Sequence, residues 1–265
     1  MRYFLGIFFG FIISTNACEK ALDPTRITSA GGSVTEIIFF LNAEDNLIAV
    51  DVTSNYPQEA MKLPSIGYVR QLSAEGVLSL DPSIIIGEDD MGPPSVLDQI
   101  ERTNVEITIV PEDHDVEGIL EKIRCIASVI GIDSEAIINT TLAPKIEKLN
   151  QLTHKNKEKK IIYILGMQSG SPLVAGNNTS GNGLINISGG INPFNSFEGW
   201  KPVGTESIIE ASPDLIIISE RGLKSFGTME DLRIHPALYL TPASQNNKII
   251  SIDGMASLGF GPRTI

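Results

Sequence analysis

The sequence predicts an α/β protein of two Rossmann-like lobes. Mainly parallel sheets, one long helix joining the lobes and a ligand cleft between them complete the prediction. Three observations carry it. From Arg26 onward, short β-branched runs alternate with helix-like segments. Continuous apolar runs of that length suit strands buried on both faces, and strand–helix alternation is the pattern of α/β architecture. The second observation is an internal echo. Glu75, Pro82 and the run Ile84-Ile-Ile86 recur as Glu206, Pro213 and Leu215-Ile-Ile217 at a constant offset of 131 residues. Each copy reads as a short helix, a Pro-containing turn and a buried strand, because Pro ends the helix and the β-branched run starts the strand. The third is a Gly-free stretch of helical periodicity between the copies.

The elements follow in order. Arg2, an apolar run over 3–13 and the small-residue exit Ser14-Thr-Asn-Ala17 read as a signal peptide, residues 1–17. A membrane span needs about 20 apolar residues, more than this run offers. Cleavage after Ala17 makes Cys18 the first mature residue. It is then either a lipid anchor or an ordinary start with an incidental Cys. The first lobe, 18–132, holds strands at Ile84–Ile86 and Ile107–Val110 and helices at Val34–Leu41, Ser95–Thr103 and Val116–Ile130. Cys125 lies in the last of these and reads as a packed core thiol. The linker helix, 133–160, has apolar residues at spacings near three and four, a kink expected at Pro144, and a basic tail suited to a helix C-terminus. The second lobe, 161–265, holds strands at Ile161–Leu165, Leu215–Ile218 and Ile249–Ile252. Its last residues, Gly261-Pro-Arg-Thr264, read as a helix start with no helix after it, so this lobe is expected to lack a final helix.

Composition excludes several functions. The 265 residues carry 32 acidic and 20 basic groups, a net charge of −12, which opposes nucleic-acid binding. Three His and two Cys exclude a Cys-rich zinc or iron–sulfur module and a disulfide-built fold. His114, His154 and His235 belong to no spaced metal motif and are expected at the surface. The sequence has no Gly-x-Ser-x-Gly elbow, no phosphate loop and no His-Glu-x-x-His, so it is not expected to be an enzyme. Gly31-Gly32-Ser33 precedes a helix. Ser33 there is either a plain N-cap or part of a carboxylate site at the helix N-terminus.

The run Gly67-Tyr-Val-Arg-Gln-Leu-Ser-Ala-Glu-Gly76 resembles the signature of periplasmic haem-binding proteins that feed ABC haem importers. Supporting segments are Ser29–Glu36, Val50–Pro57, Pro172–Gly176, Ser188–Asn192, Ser219–Leu223 and Leu258–Thr264, in order over nearly all of the mature chain. The resemblance implies a periplasmic carrier that binds haem as cargo and performs no chemistry on it, expected to be monomeric, with Tyr68 as axial ligand to the iron. Ferric iron favours an anionic phenolate. A free tyrosine titrates near pH 10, so a neighbouring cation is needed. Arg70 supplies it if the segment is extended, since residues two apart then share a face. Arg221, after the echoed strand, corresponds to a propionate partner; its alternative is a surface pair with Glu220. Ser33 and Met167 complete the implied haem contacts. Some relatives use a His after the 161–165 strand to hold a second haem. Here Gly166-Met-Gln-Ser-Gly-Ser171 has none, and Met167 offers a thioether or simply packs.

In related proteins a Glu on each lobe docks onto arginines of the permease dimer. Glu75 and Glu206 match those positions, and their symmetry suits two like permease subunits. The alternative is two exposed carboxylates at helix starts. The wider class also binds ferric siderophores and corrinoids, and such a ligand is the second reading. A siderophore saturates its iron and needs no phenolate. A secreted α/β enzyme is the third.

Overall fold

A computed structural model describes residues 18–153 and 158–265. The expected signal peptide, His154 and part of the basic linker tail lie outside the described residues. The first sheet contains β1 (Ile27–Ala30), β2 (Leu47–Val50), β3 (Ile84–Gly87) and β4 (Glu106–Ile109) in the order β2-β1-β3-β4, all parallel. Its helices are α1 (Gly32–Phe40), α2 (Ala74–Leu78), α3 (Pro94–Glu101) and α4 (Val116–Ile130). Strands β1 and β3 are buried throughout, whereas the edge strand β4 is only partly covered. Ile84 and Ile86 join the core that includes Ile37, Ile38, Ile119 and Ile123 of α1 and α4, while Ile85 joins the core on the α2–α3 side. Alternation across the pleat therefore spends every residue of the Ile-Ile-Ile run on one core or the other, which is why the run has no polar positions.

Helix α4 is set by its ends. The Asp115 side chain accepts from Gly118 N at 2.7 Å, and Gly131 closes the helix in the left-handed region at φ 77°. The linker consists of α5 (Glu135–Ile137), a π-helical turn Ile138–Leu142 and α6 (Ala143–Thr153). Pro144 has no N–H to offer the preceding turn, and the widened turn lies directly before it. Described helix ends at Thr153, whereas Lys160 forms an isolated parallel bridge with Ile191.

The second sheet has the order β7-β6-β5-β8-β9. It comprises β5 (Ile161–Gln168), β6 (Ser171–Ala175), β7 (Trp200–Pro202), β8 (Leu215–Ser219) and β9 (Ile249–Ile252). Strands β5, β8 and β9 are parallel; β6 and β7 are antiparallel, so this sheet is mixed. Helices α7 (Ser180–Ile187), α8 (Thr205–Ala211), α9 (Glu220–Leu223), α10 (Met229–Ile234), α11 (Pro242–Gln245) and α12 (Gly254–Leu258) accompany it. The sequence echo is structural. Asp81 (φ 52°) and Ser212 (φ 50°) both take the left-handed conformation directly before Pro82 and Pro213, and β3 and β8 begin 131 residues apart. Proline disfavours the right-handed helical region for its predecessor, so each short helix must leave its path there.

One expectation is corrected. Cys125 is not a free core thiol: it forms a disulfide with Cys18. Its partner lies 107 residues away and only the folded chain brings the two together. Residues 261–263 form a turn, and residues 259–265 cross to the first lobe. Among the described residues no helix is long and apolar enough to cross a membrane.

Candidate functional site

Segment 64–72 runs past the C-terminal ends of the first sheet. Val50 N donates to Pro64 O, Ile66 N to Val50 O and Val52 N to Gly67 O, at 2.9–3.0 Å. Ile66, Val69 and Leu72 are buried in the core beneath, so every third side chain anchors the segment. Leu72 N donates to Gly92 O, and Gly92 N to Val69 O, which pins it to the loop after β3. Gly67 has φ 89° and open space around its Cα, so the backbone turn, not crowding, demands glycine there. The turn leaves Tyr68 half-buried against the core.

Tyr68 caps a 3-10 turn, Val69–Gln71. The extended geometry expected for Tyr68 and Arg70 is therefore corrected, because Gln71 N donates to Tyr68 O at 2.7 Å and tightens the chain. Arg70 still lies in the field of Tyr68, but its partner is Asp90. Its Nε donates to Asp90 Oδ2 at 2.6 Å, and a terminal nitrogen contacts the same oxygen. That hydrogen bond, against the cost of burial, raises the Arg70 pKa, with smaller contributions from the charges of Asp90, Tyr68 and Glu88. Asp90 thus holds the guanidinium beside the tyrosine, a role the sequence did not signal.

Ser33 is a carboxylate site, as its position at the start of α1 allowed, but the carboxylate belongs to the chain. Its N and Oγ donate to Glu88 Oε1 at 3.2 and 2.7 Å. Ser33 is 2% exposed. Its hydroxyl is thus enclosed and already engaged within the chain.

On the second lobe, Ser169 (φ 51°) and Gly170 (φ 79°) form the two-residue turn of the β5–β6 hairpin. Met167 lies in β5, half-buried, and its N donates to Ser225 Oγ at 3.0 Å. Helix α9 is pressed onto β5: a Cβ on Gly222 would stand 2.3 Å from Leu165 O. Ser219 Oγ caps the turn by accepting from Gly222 N at 2.9 Å. With Gly222 against the strand, Arg221 projects to solvent and forms no ion pair among the described residues, Glu220 included. Arg221 and Met167 thus share the C-terminal edge of the second sheet, where ligand-facing loops of α/β units belong.

Residues 253–265 pack against the first lobe along a seam. Gly32 abuts Met255, for a Cβ there would lie 2.6 Å from Met255 Cε. Arg263 donates from N and Nε to the two oxygens of buried Glu36 at 2.9 and 2.7 Å. It also lies 3.5 Å from Asp253 and stacks 3.8 Å over the Tyr56 ring. Phe260, fully buried at φ 47°, packs on His114 with centroids 4.9 Å apart. His114 is half-buried rather than superficial, and burial lowers its pKa, helped by the charge of Lys122. His235 is half-buried too; its Nδ1 accepts from Ala237 N and burial lowers its pKa.

At the centre of the seam sits Lys122, with a fully buried side chain. It pairs with Glu112 and donates to Gly259 O at 3.2 Å and Ser33 Oγ at 3.3 Å. Burial pushes Glu112 up to about 7 against the opposing charge of Lys122, and raises Glu88 as well. Lys122 had a sequence signal: it falls between Ile119, Ile123 and Ile126 on the apolar stripe of α4.

Glu75 and Glu206 are exposed, and each is the second residue of its helix, α2 or α8. A cavity of about 600 Å³ lies elsewhere, at the start of β5 and the β7 edge, lined by Lys160, Phe194, Phe197 and Lys201 among others.

The profile described as periplasmic binding protein matches residues 27–256. Two solved structures resemble the chain closely. The periplasmic heme-binding protein BhuT, in complex with two hemes, has a TM-score of 0.84 at 31% identity, covering 90% of this chain and 92% of that one. HutB of Vibrio cholerae, also a periplasmic heme-binding protein, gives 0.78 at 37% identity over 90% and 93%. Among curated proteins, a vitamin B12-binding protein of Photorhabdus laumondii is 27% identical over 74% of this chain and 71% of its own length. The substrate-binding lipoprotein YvrC of Bacillus subtilis is 22% identical over 77% of this chain, which spans 66% of that relative.

Proposed function

The chain belongs to the periplasmic binding protein family, and from that premise we propose that it captures haem and delivers it to an ABC permease dimer. The family and the neighbours are substrate-binding proteins, not enzymes. The observation that carries the haem reading is Tyr68, presented at the sheet edge by Gly67 with Arg70 held beside it by Asp90. A phenolate is a fitting ligand for ferric haem iron, and the guanidinium held by Asp90 adds positive charge to the same segment. Exposed Val52, bonded through its N to Gly67 O, adds apolar surface next to the tyrosine. The second lobe contributes Met167 and two exposed cations, Arg221 and Lys224, three residues apart on one side of α9. Two cations suit two propionates.

A corrinoid is the second reading, favoured by the similarity to a vitamin B12-binding protein. Its periphery is largely amide, so it leaves Arg221 and Lys224 without carboxylates. Glu75 and Glu206, exposed at matched positions on the two lobes, serve as the permease contacts. Titrating the purified protein with hemin tests the ligand. A saturable ferric spectrum that is altered or lost in Tyr68→Ala is expected. Unchanged binding in that variant overturns the ligand role of Tyr68, and saturable cobalamin binding without hemin binding transfers the assignment to the corrinoid.

A further inference from the structure

The Cys18–Cys125 disulfide decides the fate of the first cysteine. Several contacts seat it. The Cys18 carbonyl accepts from Ser128 Oγ at 2.8 Å, and Ala21 N donates to Val129 O at 2.9 Å. Leu22 N reaches Glu106 at 2.9 Å, and the Lys20 side chain lies over Gly131. The segment that follows Cys18 is therefore fastened along the end of α4 and onto β4 by the protein's own bonds. Cys18 itself packs against the first-lobe core, and Cys125 is 4% exposed.

A side-chain sulfur makes one bond beyond its own Cβ. It can join a second cysteine or carry a lipid thioether, but not both. We propose that this disulfide consumes Cys18, so that the mature protein is soluble in an oxidising compartment and is not lipid-anchored at this residue. The reaction converts two thiols into one S–S bond. Two electrons and two protons pass to a disulfide-bearing oxidant, which becomes a dithiol. The inference rests on the exported location in the reading above but not on the identity of the ligand.

The test expresses the full chain, with residues 1–17, in a diderm bacterium and follows it by fractionation, intact mass and alkylation under denaturing conditions. The expected product is soluble and two hydrogens lighter than the dithiol. It takes up no iodoacetamide until reduced, and then two equivalents. Reductant should also lower its urea midpoint, and Cys18→Ser should remain soluble, expose one alkylatable thiol and lose that shift. A detergent-phase product with a diacylglyceryl mass on Cys18 and a free Cys125 overturns the proposal, as does an exported protein with two free thiols. Hemin titration of the same Cys18→Ser sample, expected to match wild type, separates this outcome from failure of the haem reading.

Discussion

Replacing Lys122 by Met should destabilise the protein most at high pH, and the magnitude follows from the seam. The lost ammonium is fully buried and faces Glu112, 13% exposed, as well as Ser33 Oγ and Gly259 O. Breaking a buried ion pair from one side costs about 3–5 kcal/mol, because the other charge stays in place unpaired. The pH dependence sharpens the test. Burial pushes Glu112 up to about 7 in the folded protein, from an ordinary glutamate value of 4.5, so the native state holds more protons than the unfolded chain across that window. Stability therefore falls as pH rises from about 4.5 to 7, by roughly 3 kcal/mol at most for a shift of this size. Without Lys122 the carboxyl is harder still to ionise. Because Glu112 then protonates instead of remaining an unpaired charge, the deficit grows by only about 1.4 kcal/mol between pH 7 and 8: Lys122→Met should lose about 2–3 kcal/mol at pH 8 and about 1–2 kcal/mol at pH 5, where Glu112 is neutral in both proteins and only the two hydrogen bonds are missing. Urea unfolding, followed by circular dichroism and by the fluorescence of the single Trp200, measures both values. A loss under about 1 kcal/mol at pH 8, or one that does not diminish on acidification, refutes the argument.

Arg263→Ala leaves the buried carboxylate of Glu36 without its cation and should cost about 3–5 kcal/mol in the same urea assay; a neutral result would mean that the C-terminal crossing is not held by this pair. Gly222→Ala drives a methyl into Leu165 O, so α9 must move: hemin affinity should fall several-fold and stability by about 1–3 kcal/mol, read by titration and unfolding together. Reversing both Glu75 and Glu206 to Arg should abolish haem uptake in a reconstituted importer while leaving hemin binding intact, and lost binding in that double variant would sink the docking role.

Much of the architecture was legible because local rules wrote it. Strand β9 matches its apolar run Ile249–Ile252, and α4 spans the stretch between Asp115 and Gly131 that its periodicity marked. The candidate site was legible in part. Arg221 was placed after the correct strand, and Gly222 explains its exposure. Tyr68 and Arg70 were singled out by a motif that did not carry their geometry: a 3-10 turn replaced the extended form, and Asp90, twenty residues on, took the guanidinium. Nothing near residue 70 signals that partner.

The sequence by itself determined the class of each lobe and the duplication, since helical and strand periods and the Pro-bounded turns act within a few residues of chain. Tertiary structure decided which groups are spoken for. Ser33 is occupied by Glu88 at a separation of 55 residues, Cys125 by Cys18 at 107, Lys122 by Gly259 at 137, and Arg263 by Glu36 at 227. Such pairs leave no periodic trace. They exist because burying a charge, a hydroxyl or a thiol requires a partner, and only the packed lobes determine which one comes within reach.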